Sequence, residues 1–482
     1  MIFNYTDSHL PPFTLLEEPL LTFSPNDQQL DVNPLRGLDQ HGPYSNYTFP
    51  LYTPELRIAT ISPSDKWVNL RSLVDILRTN HSPSDRKEYV PAFRNFNNVF
   101  GVNLIAAPST AHIKWPSDLN LLGHEGPPHV RLLHTIKNSM DRLSLVRDQF
   151  DLALVYLPDS WQSAFKAPGF DAHDEIKAIG AAYTIPTQVI NDRAFTFNYK
   201  ASLAWRLSIA LYTKAGGIPW KLAPLKGVPE NTAYIGLAYA LRSTLTKSHY
   251  VTCCSQVFDA DGGGMQFVAF EARDPVKDIE EARKNPYLSR NDMRAVLARS
   301  LTLYQTRNGG LLPRRLVVHK TTSFKEQELD GALEAMSSIP EVECVEITSS
   351  PGWRGVWLKK SQSGTRPSEP DRYPVPRGTM LQTSGASALV WVAGNAPRAS
   401  FRGEFYQGKK SIPRPIKLVR HAGGSPMEIA ALEVLALTKM DWNNDALYDP
   451  VPVTIRYSQR LAKTIANVPT LPGKAYPYRL FM

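Results

Sequence analysis

Short apolar runs alternate with amphipathic helical patterns between residues 56 and 214, and this alternation constrains the fold more than any other feature of the chain. Strand-like runs lie at residues 56–61 (LRIATI), 151–157 (DLALVYL) and 183–190, and a helix with one apolar face is predicted over 200–214. Strands that alternate with helices pair in parallel and bind ligands at their carboxyl ends. The pattern therefore predicts an α/β fold that begins with a Rossmann-like sheet.

The pattern changes after the Pro- and Gly-containing segment 222–230. Three strand-like runs follow one another, and the Gly-rich segment 259–264 (DADGGG) is predicted to form the hairpin turn between the last two. A helix, a buried strand and a second helix come next. The predicted elements are strands 233–241, 250–258 and 265–270, helix 290–304, strand 315–319 and helix 324–336. This order predicts an RNase H-like core.

These patterns divide the chain into two domains. Residues 1–222 are predicted to hold an N-terminal arm and the Rossmann-like domain, and residues 223–482 the RNase H-like domain. The first fifty residues are rich in Pro, Asp, Asn and Gly and lack periodicity, which predicts an irregular arm laid over a domain. The Pro- and Ser-rich segment 361–376 is predicted to be a surface loop.

Composition limits the classes of partner and compartment. The chain has 54 Lys and Arg against 45 Asp and Glu, a net charge of +9, which permits a phosphate-bearing partner without requiring one. The three cysteines, Cys253, Cys254 and Cys344, form no paired framework, and neither a secretory signal nor an apolar stretch long enough to cross a bilayer is visible. We therefore expect a cytoplasmic location.

Four polar residues form the candidate site. His173 and Lys177 are four apart and share one face of a predicted helix. Gln188 lies in the next strand, and Lys214 ends the helix after it. Two ammonium groups and an amide near a helix terminus suit a terminal phosphate, and an imidazole there could stack on a base or bond to the phosphate. The residue types alone favour a pair of solvated lysines, a surface histidine and an edge glutamine.

The runs that contain these residues, HDEIKAIGAAYTIPTQVI and LYTKAGGIPWKL, resemble the 5'-phosphate pocket of Argonaute MID domains. His173 stands where the family often has tyrosine and is similar to the histidine–lysine variant of prokaryotic members. Three runs in the second half resemble PIWI domains: YIGLAYALR, LPRRLVVHKTTSFKEQEL and RPIKLVRHAGGSPMEIAALEVLALTKMDWNN. Ahead of the MID-like and PIWI-like segments, no segment is expected that could hold separate N and PAZ domains. The sequence therefore resembles a short prokaryotic Argonaute, which implies that His173, Lys177, Gln188 and Lys214 bind a guide 5'-phosphate.

The resemblance also implies a catalytically inactive PIWI domain. RNase H-like nucleases hold two divalent cations with clustered carboxylates. Ala238 stands where the family's first-strand aspartate is expected, Thr321 falls near the second position, and Asn443 lies in the stretch expected to supply the last ligand. We therefore predict no cleavage by this chain. Asp259 and Asp261 are alternative ligands, although carboxylates at a Gly-rich hairpin usually form the turn.

The resemblance implies one metal ion and three partners. In relatives the C-terminal carboxylate helps to bind Mg²⁺ at the guide phosphate, so the Met482 carboxylate and the Gln188 side chain are the expected ligands. The expected partners are a 5'-phosphorylated guide RNA, a complementary single-stranded DNA target and an APAZ-containing effector protein. We favour a sirtuin-like NADase as the effector over a TIR NADase or a nuclease.

The implied function is prokaryotic immunity. Pairing of guide and target would activate the effector, which would deplete NAD or degrade nucleic acid in an invaded cell, while base pairing supplies the specificity. Three alternatives stay open: a catalytically active guided nuclease, an α/β enzyme that binds a phosphorylated metabolite at His173 and Lys177, and a scaffold whose pocket has decayed.

Overall fold

The structure is a computed structural model, and it describes residues 12–46, 48–243, 249–259, 264–271, 280, 287–350, 352–359, 369–408, 411–468 and 475–482. Most of the predicted hairpin turn, residues 260–263, and most of the predicted surface loop, residues 361–368, lie outside the described residues. Within the described part of the chain, no helix is both long and apolar enough to cross a membrane.

The first 222 residues contain thirteen of the described strands and eight of the described helices, apart from short 3-10 turns. The strands are β1 Phe13–Leu15, β2 Leu21–Thr22, β3 Leu30–Asp31, β4 Glu55–Pro63, β5 Asn80–His81, β6 Phe93–Arg94, β7 Asn103–Ala106, β8 His112–Trp115, β9 Leu152–Tyr156, β10 Lys166–Ala167, β11 Phe170–Asp171, β12 Thr187–Ile190 and β13 Lys221–Leu222. The helices are α1 Pro34–His41, α2 Phe49–Tyr52, α3 Trp67–Leu77, α4 Phe96–Phe100, α5 Pro128–Ser144, α6 Ala172–Ala182, α7 Arg193–Thr196 and α8 Lys200–Ala215.

A five-stranded parallel sheet forms the centre of this half. Its order is β12-β9-β4-β7, with β8 also paired to β4, so the predicted Rossmann-like sheet is confirmed. Strand β4 pairs with β7 over its first half and with β8 over its second half. All five residues of β9 are buried, as expected for a parallel strand covered by helices on both faces.

Helices α6 and α8 position the predicted site, and local sequence determines where each begins or ends. Helix α6 begins after Asp171, whose carboxylate accepts a hydrogen bond from the His173 backbone N–H at 3.0 Å. Helix α8 ends at Gly216, which has a φ of 114° and therefore closes the helix in the left-handed region that favours glycine. Both helices are largely buried, and Lys177 and Lys214 are enclosed with them.

The second half contains the remaining described strands and helices. The strands are β14 Thr232–Ser243, β15 His249–Asp259, β16 Gly264–Glu271, β17 Arg315–Lys320, β18 Glu341–Ser349, β19 Leu358–Lys359, β20 Glu369–Pro370, β21 Thr379–Ser384, β22 Ser387–Val390, β23 Ile416–Ala422 and β24 Ala475–Pro477. The helices are α9 Arg290–Arg307, α10 Glu326–Ala335, α11 Met427–Leu437 and α12 Val453–Asn467.

One ten-stranded mixed sheet organises this half, in the order β1-β21-β22-β23-β18-β17-β14-β15-β16-β24. Strand β14 pairs antiparallel with β15 and parallel with β17, and β15 pairs antiparallel with β16. The predicted meander of three strands followed by a parallel central strand is therefore confirmed.

Helix α12 crosses β14 at a close approach. A Cβ atom on Gly236 would lie 2.0 Å from the Thr454 carbonyl oxygen, so only glycine fits there. The Ser458 hydroxyl donates to the Gly236 carbonyl at 2.8 Å and anchors the helix on the strand. The rest of α12 is thereby carried toward α6 of the first half, against which it packs.

The N-terminal arm is more regular than predicted and joins the second sheet. Strand β1 pairs antiparallel with β21, and helix α1 begins at Asn33, whose side chain accepts from two backbone N–H groups of its first turn. The arm is held further by Glu18, which bonds Arg377 Nε at 2.9 Å and Lys439 Nζ at 3.0 Å in the interior. The predicted irregular arm is therefore wrong in this part, because its partners lie far along the chain.

Candidate anion-binding site

Lys177 and Lys214, predicted from sequence, are both buried and close enough to interact. Their side chains lie on α6 and α8, and the two residues are 2% and 0% exposed. Lys177 Nζ donates to the Thr187 carbonyl oxygen at 2.5 Å, and Lys214 Nζ donates to Asn443 Oδ1 at 3.1 Å. Neither lysine has a carboxylate within ion-pair distance among the described residues, which is rare for buried ammonium groups.

Arg460 of α12 adds a third cation that the sequence analysis missed. Its Nη1 atom is buried without a hydrogen-bond partner in the part of the chain that the structure describes. Burial lowers the pKa of Lys214 to about 7, Arg460 acts in the same direction, and Asp441 opposes them. Burial also lowers the pKa of Lys177 well below its ordinary value, with further lowering from Lys214 and Arg460. The cluster therefore has more positive charge than it can balance internally.

The loop after α11 supplies the polar partners of this cluster. Asp441 is 7% exposed and accepts hydrogen bonds from the Tyr457 hydroxyl at 2.7 Å and the Asn443 backbone N–H at 2.9 Å. Those bonds fix the loop that presents the Asn443 side chain to Lys214. The site is thus built from both halves of the chain.

His173 and Gln188, the other predicted residues, are less enclosed. The His173 side chain is 50% exposed, with Nδ1 3.8 Å from a carboxylate oxygen of Asp174. Asp174 in turn accepts from Thr464 and Asn467 of α12, which ties α6 to that helix. Gln188 lines a cavity of about 430 Å³ whose wall also includes Asn443, the hydrogen-bond partner of Lys214. The cavity therefore opens beside the buried cations.

The C-terminus lies next to the same helices. The turn Tyr478–Leu480 packs against α6 and α8, and Met482 is buried. Gln188 Nε2 donates to the Val189 carbonyl at 3.1 Å, which leaves its amide oxygen without a hydrogen bond among the described residues. A carboxylate and an amide oxygen are hard donors that suit Mg²⁺, so the chemistry of this predicted pair fits the ion.

Solved structures share this architecture over nearly the whole chain. The Clostridium butyricum Argonaute bound to a guide DNA and a 19-mer target DNA matches with a TM-score of 0.69 and 15% identity, over 100% of this chain and 56% of its own. Drosophila Piwi matches with a TM-score of 0.63 and 16% identity, over 97% and 56%. The Aquifex aeolicus Argonaute matches with a TM-score of 0.61 and 15% identity, over 98% and 56%. The chain has an Argonaute fold.

Sequence comparison supports the same Argonaute resemblance. The protein argonaute of Cereibacter sphaeroides (strain ATCC 17025 / ATH 2.4.3) is 21% identical over 455 residues, which are 91% of this chain and 54% of that protein. No protein-family model matches the chain. The chain spans about half the length of the Argonautes that it matches. The predicted succession of MID-like and PIWI-like halves agrees with these structures, whereas the short prokaryotic subtype stays a prediction.

A second cavity, of about 300 Å³, lies on the PIWI-like sheet beside helix α12. Ala238 and Thr321, the residues expected from the resemblance at two catalytic positions, both line it, together with Gln459 and Lys463 of α12. Asn443 does not line it. The Asn443 amide oxygen instead accepts a hydrogen bond from Lys214. Asn443 lies in the loop that precedes α12, and it is α12 that packs across β14.

Carboxylates are scarce around that second cavity. No group of three or more His, Cys, Asp and Glu side chains within the described residues is arranged to hold a metal ion. Of the alternative ligands, Asp259 is the last residue of β15, and Asp261 lies outside the described residues. Lys463 also lines the cavity, and its ammonium group lies 3.8 Å from a carboxylate oxygen of Asp171 and 3.7 Å from one of Asp174.

Proposed function

We propose that this chain is the guide-binding subunit of a prokaryotic immune system, and that its buried cationic cluster holds the 5'-phosphate of a small guide RNA. The observation that carries the proposal is the convergence of Lys177, Lys214 and Arg460, with one guanidinium nitrogen buried and unpartnered. Burying an unpaired charge costs several kcal/mol, roughly, so a structural role alone would favour apolar residues in these places. A phosphate dianion offsets that cost.

Each residue of the site would have a different role in binding such a phosphate. Lys177 and Arg460 would contact its oxygens, while Asn443 orients Lys214 toward it. His173, half-exposed at the start of α6, would contact the phosphate or stack on the first base. The Gln188 amide oxygen and the Met482 carboxylate would hold a Mg²⁺ ion, which offsets phosphate charge when bound.

Guide and target pairing would follow from this anchorage. A fixed 5'-end leaves the following bases to pair with a complementary single-stranded DNA, and the pairing itself supplies sequence specificity. The Argonaute of Clostridium butyricum was solved with a guide DNA and a target DNA, which supports binding of paired strands by this fold. We propose RNA as the guide here.

The chain itself would not cut its target. Ala238, Thr321 and Gln459 offer no carboxylate in the second cavity, so output must come from another protein. We propose an APAZ-containing effector as a heterodimeric partner, a sirtuin-like NADase in preference to a TIR NADase or a nuclease. Target recognition would activate this effector, which would deplete NAD in an invaded cell.

The decisive experiment compares one RNA sequence with a 5'-phosphate or a 5'-hydroxyl, at fixed salt concentration, bound to the purified chain. We expect the wild type to prefer the phosphate about tenfold to a hundredfold, which corresponds to one or two charge-assisted hydrogen bonds. Lys177→Met keeps the apolar stem, removes the charge and should abolish the preference. Lys200→Met, at an exposed lysine of α8, is the matched control and should keep it.

Other outcomes separate the alternatives. Equal binding of both RNAs by the wild type would contradict the phosphate pocket. Binding of mononucleotides without oligonucleotides would favour an enzyme of phosphorylated metabolites. Cleavage of a complementary target in Mg²⁺ or Mn²⁺ would favour an active nuclease. A scaffold would be favoured if the wild type binds no guide and Lys177→Met leaves partner binding unchanged.

A further inference from the structure

A separate cleft lies on the five-stranded sheet beside helix α3. Its volume is about 260 Å³, and it lies where β4 exchanges its edge partner β7 for β8. Ile58 of β4, Leu70 and Val74 of α3, and Ile105 of β7 give it an apolar floor. It shares no lining residue with the cavity that Gln188 lines.

Two aromatic rings form the walls of this cleft. The Trp67 and His112 rings are 6.1 Å apart with an interplanar angle of 79°. His112 Nε2 lies 2.8 Å from the Ala107 carbonyl oxygen and must donate to it, so Nδ1 accepts from the Thr60 hydroxyl, also at 2.8 Å. Burial lowers the pKa of His112, and Lys114 lowers it further. The imidazole is therefore a neutral, fixed ring that offers the cleft an aromatic surface.

Two cations line the cleft, and a third, Lys114, lies beside its Trp67 wall. Arg71 lines it from α3, is exposed and makes no ion pair or hydrogen bond among the described residues. Lys114 Nζ lies 5.7 Å from the centre of the Trp67 ring. Arg78, in contrast, is occupied, because its guanidinium donates twice to the Leu104 carbonyl oxygen. Arg71 is thus the lining cation available to a ligand, and Lys114 adds positive charge beside the Trp67 wall.

We infer that this cleft binds a single nucleotide, with the base between Trp67 and the apolar floor and the phosphate at Arg71 and Lys114. An apolar slot with rigid aromatic walls favours a planar ring, and free cations at its rim favour an attached anion. The cleft is at the small end of ligand pockets, which are typically about 300–1,000 Å³, so it admits one base and not a folded strand. This site is independent of the guide 5'-phosphate pocket and of the proposed function.

Photo-crosslinking tests the assignment. The probe is 8-azidoadenosine 5'-monophosphate, applied to the full chain both alone and after loading with one equivalent of 5'-phosphorylated RNA. We expect labelling of the peptide that contains residues 64–78, unchanged by the RNA, whereas labelling near Lys177 should disappear. AMP should compete for the 64–78 peptide about tenfold better than adenosine, because the phosphate adds charge-assisted contacts.

Variants make the test specific. Trp67→Ala should lower labelling of that peptide about tenfold, since stacking on one base contributes roughly 1–3 kcal/mol. Arg71→Ala, at an exposed residue that leaves folding intact, should lower AMP affinity about fivefold and leave adenosine affinity unchanged. Val68→Ala, on the exposed side of the same helix, and Arg142→Ala, at an exposed arginine of α5, are controls. The inference is overturned if the 64–78 peptide is not labelled in the RNA-loaded chain, if Arg71→Ala leaves AMP affinity unchanged, or if adenosine binds as well as AMP.

Discussion

The Lys214 ammonium group donates a hydrogen bond to Asn443 Oδ1, 3.1 Å away, and this contact joins the last turn of α8 to a loop of the second half. Asn443 is a neutral partner, so it orients the lysine without cancelling its charge. An aspartate at the same place would neutralise the site before any ligand arrived. The amide therefore preserves an anion-binding capacity that an ion pair would remove.

We predict that Asn443→Ala weakens binding of 5'-phosphorylated RNA about fivefold to tenfold. The loss corresponds to about 1 kcal/mol, the net contribution of one hydrogen bond that orients the ammonium group. Binding of the 5'-hydroxyl RNA should stay the same. Asn138→Ala, at an exposed asparagine of α5, is the control for fluorescence anisotropy titrations, and an equal loss with both RNAs would contradict the prediction.

Guide affinity should decrease as pH rises above about 7. The pKa of Lys214 is lowered to about 7 in the free protein, so Lys214 is partly neutral at that pH, and burial lowers the pKa of Lys177 in the same direction. A bound phosphate dianion raises both pKa values again, so binding takes up protons above neutral pH. Affinity should fall by up to about tenfold per pH unit for each proton taken up.

Calorimetry in buffers of different ionisation enthalpy measures this proton uptake directly. The 5'-hydroxyl RNA serves as the reference, because it places no dianion beside the lysines. A pH profile that is flat from 7 to about 9 for the phosphorylated RNA would mean that both lysines stay charged in the free protein.

Replacement of Arg460 should have opposite effects on binding and stability. Arg460→Met should weaken binding of 5'-phosphorylated RNA about tenfold to a hundredfold, because a charge-assisted hydrogen bond is lost. The free protein should unfold at an equal or higher urea concentration, since a repulsive charge beside Lys177 and Lys214 is removed. Arg456→Met, one turn earlier on α12 and 41% exposed, is the control. Lower stability together with unchanged binding would contradict a role in the site.

Glu18 should be important for stability although it lies in the arm. Glu18→Gln leaves Arg377 and Lys439 buried without their carboxylate and should lower the free energy of unfolding by about 3–5 kcal/mol. The pKa of Glu18 is lowered in the folded protein, so this contribution is present above its ordinary pKa near 4.5 and is lost as pH falls below it. Glu17→Gln, at an exposed neighbour, is the control in urea titrations, and equal midpoints for the two variants would disprove the role.

The sequence predicted those parts of the fold that depend on local periodicity. In β4, β9 and β12 a few consecutive apolar residues are enough to indicate a buried strand. The glycine that follows helix α8 indicates where the helix ends. Strand β1 escaped prediction because three residues between prolines and acidic residues show no periodicity. Their pairing depends on β21, far along the chain.

The site was predictable in part for a similar reason. Lys177 and Lys214 lie in runs that resemble a known pocket, whereas Arg460 lies on a helix with other basic residues and looks like part of a solvated face. The sequence did contain a sign of a basic helix face, because Arg456, Arg460 and Lys463 repeat at helical spacing on α12. What the sequence could not show was the close contact at Gly236, which fixes α12 on β14 and so places Arg460, but not the exposed Arg456 and Lys463, in the interior.

The pairing of β1 with β21 imposes a delay during synthesis. Leu15 pairs with Thr379, 364 residues later, so at about 5–20 residues per second the ribosome needs roughly 20 to 70 seconds to supply the partner. The parallel sheet of β4, β7, β8, β9 and β12 is complete well before then. Until then the backbone N–H and C=O groups of β1 lack their partner strand, and a nascent-chain chaperone has that interval in which to bind them.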